Sequence, residues 1–493
     1  AYLAPCSARY RVSSSAASGP AGARYSPSVA TILHMVTAVG LKEASRFWLQ
    51  LGLVSFGGPA GQIALLQREL VERRRWLSER RFLHALNYCM LLPGPEATQL
   101  ATYLGWLMHG APGGLIAGGL FLAPSTLMLM ALATGYALWG QLPLLATVFA
   151  LLKPAVLAIV LVASWRMGRR TLRTPLLLGI AAAAFLALAL LQLPYPLVVI
   201  GAGLSGLVAG RWRPRLLFAQ TCSTPGPASP QEDPARGGEA IQFDSIQFDS
   251  IHGDLTPTPS HCRCSRRRLA LTLLAWGLGV LIPLALLAAI GGWNGNLALM
   301  ARFFTRVALL SFGGAYAVLP YVAQGAVEQF GWLSASQMLD GLALGETTPG
   351  PLIMVVAFVG FMGGWNQGLG SGAGAASWPL AVAATLVTVW FTFLPSFGFI
   401  LAGAPLVEAS RGDLRLGAPL TAITAAVVGV IASLAVFFAG PVLWLAGAFN
   451  AWAALVVAAA LVVQLRFRWS VLQVIGVAAA IGALLAGIAS LSS

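Results

Sequence analysis

Two short motifs, each present twice, hold the residues best suited to chemistry in this chain. Ser55, Phe56, Gly57 and Gly58 recur as Ser311, Phe312, Gly313 and Gly314, and Pro93, Gly94 and Pro95 recur as Pro349, Gly350 and Pro351. Proline ends a helix because it lacks an N–H and clashes with the preceding turn, and glycine lets backbone come close to a ligand. A helix broken in apolar surroundings presents N-terminal N–H groups and a partial positive charge, which hold an anion without a full set of fixed cations. Neutral groups able to donate to such an anion lie alongside: Ser55, Gln99, Ser311, Thr347 and Thr348. Glu96 and Glu346 sit within a few residues of the two PGP motifs, as proton-coupling carboxylates or as groups that pin the broken backbone. Lys153 lies in the apolar run LLKPAVLAIV, beside Pro154. A charge at membrane depth is expensive and marks a functional candidate; the plainer reading is a lysine that snorkels to an interface. Arg302 and Arg306 are placed near one mouth of such a site.

The elements that must position these residues follow from composition. Hydrophobic residues make up 58% of the chain and charged residues 9%, against about a quarter charged in soluble proteins. Apolar runs such as Leu269 to Ile290 and Val471 to Ile488 match the roughly 20 helical residues that cross a bilayer core. An all-α polytopic membrane protein is expected. The net charge of +14 is carried almost wholly by arginines clustered in short polar links. That distribution follows membrane topology, and without an aromatic-interleaved basic surface it argues against nucleic acid as a partner.

The motifs also reveal a duplication. One offset of 256 carries Ser55–Gly58 onto Ser311–Gly314, Trp76–Ser78 onto Trp332–Ser334, and Pro93–Pro95 onto Pro349–Pro351. Past a Gly/Ala/Ser-rich segment at 364–378 the offset becomes 271, where Pro124 and Ser125 meet Pro395 and Ser396 and Lys153 meets Thr424. The expected organisation is an N-terminal tail over 1–40, a first repeat over 41–210, a disordered linker over 211–268, an additional membrane helix over 269–290, and a second repeat over 291–493. The linker is Pro-rich and partly acidic and carries the tandem pentapeptide IQFDS, a composition that cannot bury enough apolar surface to fold. The tail is free of acids up to Glu43, and reads as a transit peptide or a disordered cytoplasmic segment.

Charge orients the halves. The link 68–81 has six arginines and three glutamates, whereas its counterpart 324–337 has Glu328 and no cation. The cluster at 166–173 faces an uncharged counterpart near 439–445, while Arg411 and Arg415 face an uncharged stretch near 139–141. The positive-inside rule then sets the two halves in inverted topology, with 269–290 supplying the odd crossing. If 68–81 and 166–173 share one side, an even number of crossings separates them, yet three apolar stretches lie between. The stretch 82–108, interrupted by the PGP motif, is expected to turn back part-way as a re-entrant hairpin or broken helix pair. The same is expected around SFGG, and over 336–363 and 296–323.

Other chemistry finds little support. No nucleophile–base constellation, metal cluster or phosphate loop is evident, and His34, His84, His109, His252 and His261 are dispersed. Cys6, Cys89, Cys222, Cys262 and Cys264 read as free thiols. No enzyme activity, cofactor or metal is expected.

With these motifs in place, the sequence resembles the chromate ion transporter family in its long two-domain form. The resemblance rests on SFGGPAGQIA at 55–64, on RRRWLSERRFLHALNYCMLLPGPEATQLATYLGW at 73–106, and on the SFGG and TPGP motifs of the second half. It implies export of chromate from the cytoplasm, with sulfate as a related substrate. It also implies signature residues at Gly57, Gly58, Pro59, Pro93, Gly94 and Pro95, and at Gly313, Gly314, Pro349, Gly350 and Pro351; Ala315 stands where the first half has Pro59. The combined expectation is an alternating-access oxyanion exporter of the plasma membrane, or of an organelle if the tail is a transit peptide. The oxyanion and the lipid bilayer are the expected partners, and a homodimer is compatible with the sequence. A sulfate or other oxyanion importer and an anion channel are the alternatives, with a membrane-bound reductase a weaker one.

Overall fold

The computed structural model describes residues 39–56, 58–212, 265–312, 315–370, 377–409, 417–445 and 447–492. Gly57, Gly313, Gly314, Arg411, Arg415, the tail to residue 38 and the stretch 213–264 lie outside the described residues.

Helix-breaking residues divide the first half. Helix α1 (Leu41–Val54) ends at the SFGG motif, and α2 (Gly58–Gln67) leaves it and widens into a π turn at Arg68–Arg73. Ser78 accepts from the Arg81 N–H and so caps α3 (Glu79–Cys89), which stops short of the PGP motif. Beyond the motif runs α4 (Glu96–Trp139), which breaks at His109 and at Gly110, where φ is +68°. The His109 ring is hydrogen-bonded to the Val39 carbonyl at 2.7 Å, so the first segment of α4 ends beside the start of α1. The stretch 82–108 is thus a helix pair broken at the PGP motif, one of the two forms expected of it. Pro143 and Pro175 occupy first-turn positions of α5 (Pro143–Thr171) and α6 (Pro175–Ala189), where the missing N–H costs nothing. Helix α7 (Tyr195–Trp212) closes the half.

Helix α8 (Arg266–Gly291) has no buried residue. Its outer face presents Leu271, Leu274, Leu281, Ile282, Leu286 and Ile290, a continuous apolar surface of the kind that lipid covers.

The second half repeats the order with α9 (Asn296–Leu309), α10 (Ala315–Ala323), α11 (Ala335–Thr347), a 3-10 turn (Leu352–Met354) and α12 (Val355–Gly370). Helices α13 (Ser377–Ala409), α14 (Gly417–Leu443), α15 (Ala451–Arg466) and α16 (Val471–Ser492) follow. A two-residue-per-strand hairpin, β1 (Trp444–Leu445) with β2 (Ala448–Phe449), joins α14 to α15. The duplication reaches fine detail. The π turn at Arg68–Arg73 recurs at Gln324–Gln329. The Trp76 N–H donates to Leu70 and the Trp332 N–H to Ala326, both at 2.8 Å. Ser334 caps α11 as Ser78 caps α3.

Among the described residues six helices, α4, α5, α8, α13, α14 and α16, are long and apolar enough to cross a membrane. The halves interlock: α5 packs on α15 and α16 of the second half, while α14 packs on α6 and α7 of the first. This protein is an α-helical, polytopic integral membrane protein of two homologous, inverted halves with broken helices at the SFGG and PGP motifs.

Candidate functional site

The two PGP motifs each meet the other half's SFGG motif. The Gly94 N–H donates to the Ser311 carbonyl at 2.7 Å, and the Gly350 N–H donates to the Ser55 carbonyl at 2.7 Å. Such an exchange, in which each partner makes the other's bond, is what a twofold relation produces. Gly94 has φ +129° and Gly350 has φ +110°, a region closed to side chains. Space closes it as well. A β-carbon on Gly94 would lie 2.3 Å from Ser396 Oγ, and one on Gly350 would lie 1.7 Å from Ser125 Oγ. Ser125 and Ser396 are themselves equivalents at the offset of 271. Each glycine is thus held between a carbonyl and a hydroxyl of the opposite half.

Amide side chains, found in the first half only, complete these two clusters. Gln62 donates to the Ser55 carbonyl at 3.2 Å and also to the Gly350 carbonyl. Gln99 donates to the Pro93 carbonyl at 2.7 Å. Their equivalents at the same offset are Val318 and Val355.

What remains unmade decides the chemistry. The hydroxyls of Ser55, Thr98, Ser125, Ser311 and Ser396 are buried without a partner, as are Oε1 of Gln62 and Oε1 of Gln99. A buried polar group left unpaired costs about 1–3 kcal/mol, so natural interiors seldom gather several. The four serine hydroxyls, set around the two reciprocal bonds, suit a polar guest rather than a packed core. No fixed cation is recorded in hydrogen-bonding contact with these hydroxyls among the described residues; the first turn of α4, beyond Pro95, adds a helix N-terminus.

The remaining candidates sort differently. The N–H groups of Gly94 and Gly350 are committed to serine carbonyls, so in this state the hydroxyls are the available donors. Thr347 and Thr348 donate to the Leu344 and Gly345 carbonyls of their own helix, at 2.8 and 3.0 Å. Pro93, Pro95, Pro349 and Pro351 shape the breaks, and Gly58 opens α2 with φ +71°. Glu346 accepts from the Tyr316 hydroxyl at 2.6 Å; Glu96 starts α4. Neither carboxylate has an acidic equivalent, since Glu96 corresponds to Leu352 and Glu346 to Met90. Arg302 stacks over Trp293 at 4.5 Å and donates to its carbonyl at 2.8 Å, at the start of α9.

Lys153 has a counter-ion. Its Nζ lies 3.5 Å from Oδ2 of Asp340 on α11, and the same oxygen accepts from the Tyr136 hydroxyl at 2.8 Å. Asp340 escaped the sequence reading although it lies in an apolar stretch, where the rule that selected Lys153 applies equally. Ser125 and Ser396 align the halves in sequence, and their buried, unpartnered hydroxyls beside Gly350 and Gly94 make them further candidates. A cavity of about 660 Å³ between α5, α6, α14 and α15 is lined by apolar residues such as Leu157, Phe185, Val428 and Val436 and holds none of these groups. Its lining is mostly apolar, with Ser164 and Arg169 as its polar members.

Motif order and the doubled crossing agree with comparison to known proteins. The family model described as Chromate transporter matches residues 42–207 and 298–483, one stretch in each half. The chain belongs to the chromate transporter family. Among curated relatives of this chromate transporter family member, a probable chromate transport protein of Synechococcus elongatus is 27% identical over 82% of this chain and 85% of its own. A chromate transport protein of Pseudomonas aeruginosa is 30% identical over 78% of each chain. One from Cupriavidus metallidurans is 26% identical over 81% of this chain and 82% of its own. No solved structure matches this family member significantly.

Proposed function

We propose that this protein exports a tetrahedral oxyanion, chromate first, by alternating access, with the substrate held between the two serine clusters. The observation that carries this reading is the set of unpartnered hydroxyls of Ser55, Ser125, Ser311 and Ser396 around the reciprocal Gly94–Ser311 and Gly350–Ser55 bonds. A dianion with four equivalent oxygens takes hydrogen bonds from several directions, as two matched clusters supply. Hydroxyl donors without a permanent counter-cation also allow release, which turnover requires.

The positive-inside rule assigns the ends bearing Arg68–Arg81 and Arg166–Arg173 to the cytoplasm. The bacterial relatives suggest the plasma membrane. Exit of a dianion is then favoured by the inside-negative potential, at about 2.3 kcal/mol per charge per 100 mV. Rocking of one half against the other would expose the clusters to each side in turn. The test is uptake of labelled chromate into inside-out vesicles with the potential clamped and sulfate as competitor. Potential-dependent accumulation that sulfate inhibits supports the reading; flux only in right-side-out vesicles points to an importer, and conductance without exchange to a channel.

A further inference from the structure

The two halves share one fold but not one packing. Helix α11 packs on α5, α14 and α16, and α10 packs on α14. Among the described residues their equivalents α3 and α2 show no comparable packing on α14, α5 or α7. Burial agrees. Ala317, Val318, Leu319, Val322 and Ala323 of α10 are at most 1% exposed, whereas α2 buries only Gln62 and Leu66. The first-half hairpins keep a hydrophobic cluster of their own, around Trp48, Phe82, Tyr103 and Phe121, joined from the second half by Ile400 and Ala404. The second-half hairpins belong to the main core. Helices α2 and α3 lead to the arginine-rich link and α10 and α11 to its arginine-free counterpart. The molecule is therefore loose on the arginine side and closed on the other.

The closed side carries a polar lock with no counterpart on the loose side among the described residues. Lys153 on α5 and Tyr136 on α4 both reach Oδ2 of Asp340 on α11, which is 3% exposed, while its Oδ1 has no partner. The equivalents of Asp340, Lys153 and Tyr136 are His84, Thr424 and Val407. Among the described residues no lock forms there: Nε2 of His84 has no partner and Thr424 donates to the Leu420 carbonyl.

We propose that the Lys153–Asp340–Tyr136 cluster is the gate on the side opposite the arginines, and that it parts in every transport cycle. The proposal rests on the alternating-access reading above. In an inverted duplication the opposite state arises when the halves exchange arrangements, so α11 takes the loose position α3 holds here. Asp340 then leaves Lys153. Tyr136 can keep its bond to Asp340, and Lys153 becomes a fixed cation on the exit side, where a departing dianion replaces Asp340 as its counter-ion. Lys153 thus meets substrate at the gate, not at the crossing.

Equivalent positions on the two hairpins give a direct test. Asn87 on α3 is exposed and its equivalent Ala343 on α11 is 1% exposed. N87C and A343C are made singly in a protein whose five native cysteines are serine and whose flux is retained. Each is labelled in vesicles with a membrane-impermeant thiol reagent. At rest N87C labels from the arginine side and A343C labels from neither. During chromate flux, A343C labelling from the opposite side rises at least fivefold and N87C labelling falls. Without substrate, Asp340→Asn raises A343C labelling at least fivefold. Should the cysteines disturb folding, hydrogen exchange of residues 335–347 and 79–89 in the unaltered chain reads the same exchange of protection. A343C silent during verified flux, or resting labelling unmoved by Asp340→Asn, overturns the gate. If no chromate moves but Asp340→Asn still exposes A343C, the substrate reading fails and the gate stands.

Discussion

Gly94 donates its backbone N–H to the Ser311 carbonyl at 2.7 Å, and 256 residues along the chain Gly350 does the same to Ser55. The two bonds tie each half's PGP break to the other's SFGG break. At each, unwound chain at membrane depth is tolerated because protein satisfies it.

Gly94→Ala and Gly350→Ala should each abolish transport. The alanine methyl would need a backbone conformation of positive φ and would enter the Ser396 or Ser125 hydroxyl. A loss of at least tenfold in chromate flux at equal membrane abundance is expected, with Gly350→Ala the more severe because its approach is closer. Flux within twofold of the parent for both would show that the crossing relaxes freely.

Gln62→Leu removes a side chain that donates to both the Ser55 and the Gly350 carbonyls. Loss of two hydrogen bonds at about 1 kcal/mol each should lower thermal stability modestly and flux more than threefold. The symmetric change Val318→Gln places an amide where the second half has none. Side-by-side melting and flux curves for the two variants check whether the asymmetry matters.

Breaking the Lys153–Asp340 pair from one side should destabilise more than removing it whole. Lys153→Met leaves a buried carboxylate with only Tyr136, at a cost of about 3–5 kcal/mol. The double variant K153M/D340L should recover most of that stability and none of the gating. Denaturation in detergent, run as a double-mutant cycle, measures the coupling; additive effects would mean that the two charges do not interact.

Much of this was legible in the sequence, and the reasons are local. Proline and glycine together disfavour continuous helix, so the repeated motifs foretold the broken helices, the break within 82–108 among them. Partner choice was not legible. Nothing along the chain says that Gly94 meets Ser311 rather than Ser55, because that depends on how the halves dock. Ser125 and Ser396 look like any serine beside a proline in an apolar helix until their burial is known. Lys153 stood out as a charge in an apolar run, but its counter-ion lies 187 residues away. The unequal packing of the halves depends, like partner choice, on how they dock, which no sequence pattern records.

The central claim is that the serine clusters at the crossing hold the oxyanion. The most direct measurement is the concentration dependence of chromate uptake into inside-out vesicles by the parent and by S125A/S396A. Neither hydroxyl has a partner to lose, so folding should be unchanged or slightly stabilised while the half-saturating chromate concentration rises at least tenfold. An unchanged half-saturation in a correctly inserted S125A/S396A protein would contradict the account and place the oxyanion elsewhere.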